Sequence, residues 1–472
     1  MSGEELLPGT GRWQPAGLTE GARREQMARD TPRPPRRCAS WYPFPFRRGL
    51  VALALLASPA MAETVAFTGG TVAIGDGSQP IPNGTVVIRD GRVIAAGTGV
   101  AVPAGARVVD SSGRWVTAGI VSGNTNIGIL DGYGMPETDD TSAGKSPFSA
   151  AIDVAPAINA SGPAFANDRM TGVTRAFVVP SAGNTIFAGQ GAVIDLAADP
   201  DPVTRARAFQ YVELGEAATG SGGGSRPAAH VLLRAALAAA RDPAQAAFPD
   251  RQALITRQDA AALKPVVEGR MPLLVHAERA SDIRAALVLK TEYPTLNLVL
   301  VGASEGWRVA PEIAAARVPV IAAALADLPE RFETLAATQS NVGRMVRAGV
   351  TVAISTVGAS EGPYNSYLSQ YAGNLVALTK VPGAAGLDWG AAFATITSKP
   401  AQAIGIDGEI GSLRPGRRAD VVVWDGDPLE LASEPVAVWV DGVSQPMVSR
   451  QTRLRERYLN PLEGALPKAY EH

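Results

Sequence analysis

The chain has 472 residues, too many for one compact core and enough for a barrel with a smaller domain beside it. Its 43 basic and 45 acidic side chains give a formal net charge of -2, and nine of the Arg lie in residues 1–62, so the remainder is mildly acidic. That balance, with no Lys/Arg cluster in the body, argues against a nucleic-acid partner, while 50 Gly, 36 Pro and few aromatics suit a folded, loop-rich α/β chain.

Arg47-Arg48 precede the apolar run 49–57, which ends in Ser58, Pro59 and the small-x-small triplet Ala60-Met61-Ala62. This pattern predicts a secretory signal peptide with an upstream leader over 1–62, cleaved after Ala62. The run is too short for a bilayer span, which needs about 20 apolar residues. The expectation is an exported protein, periplasmic or secreted, with no integral membrane segment after cleavage. The single Cys, Cys38, lies before the run, so the mature chain would hold no thiol.

From residue 64 to about 115 the text is short strands and tight turns. Residues 65–74 and 84–88 are β-rich, and Asp90-Gly91 is a two-residue hairpin signal. After residue 116, strands alternate with Ala-rich helical stretches, the pattern of a parallel (β/α)8 barrel. The run Val116-Thr117-Ala118-Gly119-Ile120-Val121-Ser122-Gly123 reads as its first strand, and period two sends Asn124 and Asn126 to one face. Further strands are expected at 172–180, 272–276, 297–302, 318–321 and 349–356. Helices are expected at 226–241, 280–293, 310–316, 336–348 and near 390–395. Gly220-Ser221-Gly222-Gly223-Gly224-Ser225 reads as a flexible connection. Gly144-Lys145-Ser146 lacks the upstream Gly of a phosphate loop, because Asp139 holds that position. The end returns to β-text at 411–424 and 436–440, followed by the turn Asp441-Gly442. β-text on both flanks of the barrel suggests that the chain ends pair into one composite domain, 63–115 with 406–458, around a barrel at 116–405 and before a tail at 459–472.

Four stretches, 411–420 with Trp424-Asp425-Gly426-Asp427-Pro428, Thr397-Ser398-Lys399-Pro400-Ala401, Val275-His276-Ala277-Glu278-Arg279-Ala280-Ser281-Asp282-Ile283 and 349–356, share one order and spacing with a known family. On them the chain resembles the exported, imidazolonepropionase-like branch of the amidohydrolase superfamily. The resemblance implies a distorted (β/α)8 TIM barrel plus a composite β-sandwich, and hydrolysis of a carbon–nitrogen bond in a small cyclic or linear amide by metal-activated water. It also implies metal ligands at a His-x-His on strand one, a His after strand five, a His after strand six and an Asp after strand eight. Here those positions hold Asn124 and Asn126, His276, Glu305 as the nearest candidate, and Val357.

A catalytic zinc wants about three strong ligands and a water. Of the three His after residue 62, His230 falls in an Ala/Leu helix and His472 ends the chain, so His276 is the one histidine candidate for a metal ligand, with Glu305 or Glu278 open beside it. A divalent metal would then be weakly held or absent, and zinc is doubtful. An all-oxygen set from Asn124, Asn126, Glu278 and Glu305 would suit a harder ion. Otherwise Asn124 and Asn126 hydrogen-bond each other and His276 across the barrel floor. Glu278 and Glu305 are the candidate catalytic groups, with Glu278 a general base if it lies beside His276, or paired with Arg279 if not. Asn124, Asn126 and His276 are the candidate substrate-binding residues. Asp139 and Asp140 fall in a loop expected to overhang the mouth. Two functions remain open. One is a hydrolase of non-peptide C–N bonds with an atypical metal site; the other is an inactive relative that binds a small amide-like ligand. A second copy or a paired amidohydrolase subunit is open as a partner.

Overall fold

The computed structural model describes residues 63–132, 135–243, 255–324, 326–357 and 365–459. The expected signal peptide, Cys38 and the tail with His472 lie outside them. Both flanks of the chain enter one sheet. Its N-terminal strands are β1 (Thr64–Ala73), β2 (Ile81–Arg89), β3 (Arg92–Gly97), β4 (Arg107–Asp110) and β5 (Trp115–Ala118). The order is completed by β14 (Val421–Trp424), β15 (Pro435–Val440) and β16 (Val443–Ser444), running β16-β15-β14-β5-β1-β2-β3 with β4 on β1. Asp90-Gly91 turns β2 into β3 with φ of 51° and 69°, the left-handed pair that a two-residue hairpin requires.

β1 serves two partners on one edge. Residues Val65 to Thr68 run parallel to β4, and Thr71 to Ala73 run parallel to β5. Between them Gly69 takes φ +77°, and the register against β2 shifts at the same place. Such a bulge bends a strand and increases its twist. The composite β-domain is therefore one continuous sheet curled on its own core of Val65, Phe67, Val86, Ile88, Val421 and Trp439.

The second sheet is the barrel, in sequence order: β6 (Ile120–Thr125), β7 (Val173–Val178), β8 (Phe187–Asp195), β9 (Val203–Glu213), β10 (Leu273–Ala277), β11 (Leu298–Gly302), β12 (Val320–Ala322) and β13 (Val352–Ile354). Its departure from a regular (β/α)8 pattern is β8, which runs antiparallel to both β7 and β9 with no helix between them. Across the seam from β6 to β13 single bonds replace a ladder: Val121 N to Ile396 O at 2.8 Å, Ile354 N to Thr395 O at 3.0 Å, and Asn124 N to Ser355 Oγ at 2.9 Å. Val121, Phe177, Phe209, Leu274, Val299 and Ile321 fill the interior.

The helix Arg226–Arg241 begins where its signals place it, with Ser225 Oγ accepting from Ala228 N and Leu233, Ala236 and Leu237 buried. The Gly-rich stretch before it is not a loose tether. It holds a short helix, Ala218–Ser221, and a turn in which Gly223 and Gly224 take φ of 90° and 84°. The helix expected over 336–348 forms only at Asn341–Arg347. Ala336 N instead donates to Glu305 Oε1 at 3.1 Å, and Asn341 is bonded to Trp307 N and Ala303 O, at 2.9 Å each.

Arg175 of β7 joins the two sheets. Its buried guanidinium donates to Asp420 at 2.8 and 2.9 Å and lies 2.7 Å from Asp441 and 3.5 Å from Asp195. Burial alone would lower its pKa, but the adjoining Asp420 and Asp441 charges hold it above its ordinary value.

Candidate functional site

The barrel strands end around a cavity of about 820 Å³ and an adjoining recess of about 280 Å³, which share Asn124 and Tyr211 in their walls. The end of β6 is irregular: Ser122 faces Ala176 and the next aligned pair is Thr125 with Val178. Asn124, Thr125 and Asn126 all line the larger cavity, so the irregular strand end does not set the two Asn apart from the residue between them. The partners of the two Asn also differ from the expectation. Asn124 Nδ2 donates to Thr356 O at 3.4 Å, Asn126 donates to no described side chain or carbonyl, and neither bonds the other or His276. Behind them a buried chain runs from Asp168 through Asn365 (2.9 Å) and Ser122 (2.7 Å) to Ser355 (3.2 Å), which takes the Asn124 N–H. Burial pushes the Asp168 carboxyl up to about 6 against the opposing Asn365 bond.

His276 stands at the end of β10, the fifth barrel strand, between two carboxylates. Its Nδ1 lies 2.7 and 2.8 Å from the oxygens of Glu213, which ends β9, and its Nε2 lies 2.9 Å from Glu278 Oε1. Carboxylate on both nitrogens requires both to donate, which is the imidazolium form. Burial works against that charge, but Glu213 above all, with Tyr211 and Glu278, raises the pKa well above the usual histidine value. Burial would raise Glu278, yet the bonds to His276 and to Ser304 N (2.8 Å) hold its carboxyl below the usual range. Gly302, at φ +87°, makes room for that carboxylate: a Cβ there would collide with both of its oxygens.

Glu278 therefore does lie beside His276, and Arg279 pairs instead with Asp282 at 2.8 Å. Glu305 is not brought to the mouth. Buried at 3% exposure, it accepts from Ala280 N at 3.0 Å and Ala336 N at 3.1 Å and lines neither cavity, so it fixes backbone behind the site. Asp139 is spent on its own turn, accepting from Thr141 N and Oγ1. Val357 lines the recess and offers no donor atom to a metal.

Sequence reasoning missed three wall residues: Tyr211, Glu213 and Glu333. The first two had a signal, since Phe209, Tyr211 and Glu213 alternate along β9 toward the barrel interior and a Gly follows. Burial raises the Tyr211 pKa, so its hydroxyl keeps its proton, and it donates to no described group. Glu333 comes from the long loop after β12 and had no pattern to announce it.

The residues present do not fit a transition-metal centre. Both His276 nitrogens are already bonded to carboxylates, the first-strand pair offers only neutral amide oxygens, and position 357 is apolar. Among the described residues no group of three or more His, Cys, Asp and Glu is arranged to hold a metal ion.

An amidohydrolase structure from Thermotoga maritima MSB8 matches 80% of this chain and 99% of its own, with a TM-score of 0.70 at 22% identity. The fold is that of the amidohydrolases. The amidohydrolase family model itself matches residues 303–444. Amidohydrolase tasK of Hapsidospora irregularis is 25% identical over 73% of this chain and 38% of its own length. An imidazolonepropionase of Maricaulis maris (strain MCS10) is 30% identical over 34% of this chain and 37% of its own length. The chain thus aligns with well under half of the length of these curated relatives. Among the described residues no helix is long and apolar enough to cross a membrane.

Proposed function

We propose that the protein hydrolyses a carbon–nitrogen bond, other than a peptide bond, in a small cyclic or linear amide held at the barrel mouth. The observation that carries this is Glu278, a carboxylate on the recess wall bonded to an imidazolium that Glu213 backs from the other side. Asn124 and Tyr211 line this recess as well, and with Asn126 of the adjoining cavity they present neutral hydrogen-bonding groups that would hold the amide oxygen. Water attacks the amide carbon while Glu278 takes its proton; that proton then passes to the leaving nitrogen as the C–N bond breaks. His276 keeps Glu278 oriented. No step is routed through a metal, because the donor set fits zinc poorly; a harder divalent ion would find only the carboxylate and amide oxygens of the wall.

One observation favours a second reading, a non-catalytic binding protein. Glu278 is held below the usual carboxylate range, which weakens it as a base. Turnover of a panel of small lactams and linear amides by the mature chain, with and without chelator, separates the readings. Chelator-insensitive hydrolysis abolished by Glu278→Gln supports the first. Activity that needs stoichiometric zinc overturns its metal-free chemistry, and micromolar binding with no turnover supports the second.

We also propose that the chain is exported, on the strength of residues 47–62, and that a second copy or a paired amidohydrolase subunit is its protein partner. Mass spectrometry of the mature protein should find Glu63 as its first residue, and native mass spectrometry would report the assembly.

A further inference from the structure

We infer that Asp168 is a positioning residue for the amide site: through Asn365, Ser122 and Ser355 it sets how the Asn124 peptide unit is held where the two cavities meet. This rests on reading the mouth as the amide site. Asp168 lies on the helix Pro163–Met170, is buried and lines neither cavity, whereas Asn124 lines both. Three buried residues from separate parts of the chain join them: Ser122 on β6, Ser355 just after β13, and Asn365 on the turn Asn365–Tyr367. A carboxylate only accepts, so Asn365 must turn its Nδ2 to Asp168 Oδ2, at 2.9 Å, and its Oδ1 to Ser122. Ser122 Oγ therefore spends its one proton on Asn365, at 2.7 Å, and accepts from Ser355 Oγ at 3.2 Å. Ser355 Oγ in turn accepts the Asn124 N–H at 2.9 Å. Every donor in the line points toward the carboxylate.

The far end is gripped from both sides. The Asn124 carbonyl lies 3.3 Å from Ser355 Oγ and 3.2 Å from Thr356 Oγ1. This is the seam of the barrel, where side chains and single bonds stand in for a strand ladder, so they fix where Asn124 stands. Buried polar atoms are costly unless paired, and hydrogen bonds in a line reinforce one another only when they run the same way. A protonated Asp168 reverses the line. It donates to Asn365 Oδ1, the amide turns over to donate to Ser122, Ser122 donates to Ser355, and the Ser355 proton goes to the Asn124 carbonyl. Burial is what raises the Asp168 carboxyl to about 6, against the Asn365 bond. On the elements packed against its helix, the titratable groups are Tyr367 and Arg175 of β7, the latter committed to Asp420, Asp441 and Asp195; β15 has none. Arg169, beside it on the helix, donates to Leu196 O.

Nitrogen-15 spectra of the full mature chain, labelled at asparagine and followed from pH 5 to pH 7.5, read the line directly. The expected result is that the Asn365 side-chain amide and the Asn124 backbone N–H titrate together, with a midpoint near that of Asp168. Ser122→Ala should silence the Asn124 titration and leave that of Asn365, which an effect through space or a merely structural carboxylate would not do. If that variant melts early, Ser355→Ala takes its place. Calorimetry at pH 7.5 with δ-valerolactam and hexanamide, one cyclic amide and one linear, gives the second readout. Asp168→Asn and Ser122→Ala should each weaken binding by about three- to tenfold, up to the scale of one neutral hydrogen bond. An Asn124 signal that stays fixed, or one that still moves in Ser122→Ala, overturns the inference, as does unchanged affinity in both variants. None of these touches the hydrolase reading if the wild type turns over either amide. If neither amide binds or reacts, the amide reading of the mouth falls and the inference falls with it.

Discussion

Replacing Glu213 by Gln tests the account of the imidazolium. The wild-type Nδ1 contacts both carboxylate oxygens at 2.7 and 2.8 Å, and Glu278 holds Nε2 at 2.9 Å. A hydrogen bond to a charged group contributes about 1.5–3 kcal/mol and a neutral one about 1 kcal/mol, so the variant should lose about 1–2 kcal/mol near neutral pH. The pH dependence has a definite sign. A histidine whose folded pKa is raised contributes stability that is fully present below about 6.5, its unfolded value, and is lost as pH rises through the folded pKa. The wild-type advantage over Glu213→Gln in urea unfolding should therefore be large at pH 6 and shrink above the folded pKa. Nitrogen-15 spectra of the imidazoles should show one ring doubly protonated at pH 7.5 in the wild type. A neutral His276 ring at that pH, or an advantage of the same size at pH 6 and pH 10, would refute the argument.

Arg175→Met leaves Asp420, Asp441 and Asp195 crowded without their buried cation and should cost about 3–5 kcal/mol, read by urea unfolding. Gly302→Ala places a methyl against the Glu278 carboxylate at a φ of +87°; about 1–2 kcal/mol of stability should go, with a larger fall in ligand affinity by calorimetry. Asp168, with a folded pKa of about 6 against 3.8, takes up a proton on folding in that interval. Stability should fall by about 2 kcal/mol as pH rises from 4 to 7, and Asp168→Asn should flatten that slope in chemical denaturation.

Much of the scaffold was legible because it is written in short-range chemistry. Ser225 announces a helix and Asp90-Gly91 a hairpin. β8 was not legible: its nine residues are buried on both faces, so no alternation marks it, and strand-to-strand contact with β9 replaces the helix that the repeating pattern supplies elsewhere. The site was half legible. His276 and Glu278 are close in sequence and end one strand, so their proximity follows from the chain itself. Glu213 and Glu333 reach the same imidazole neighbourhood from 63 residues before and from a loop well beyond it, and only the closed barrel makes them neighbours. Glu305 shows the reverse error: proximity in sequence to a ligand position did not predict that its oxygens were already committed to backbone.

The sheet that both chain ends build has a consequence for how the molecule is made. Trp115 and Trp424 are register partners, and Arg175 waits for Asp420 and Asp441. A ribosome therefore emits the first strands and the whole barrel before the pieces that seal them arrive. Contacts so distant along the chain make for slow assembly. A chain cut short before residue 420 would keep an open strand edge and a stranded guanidinium, a species fit for degradation and not for use.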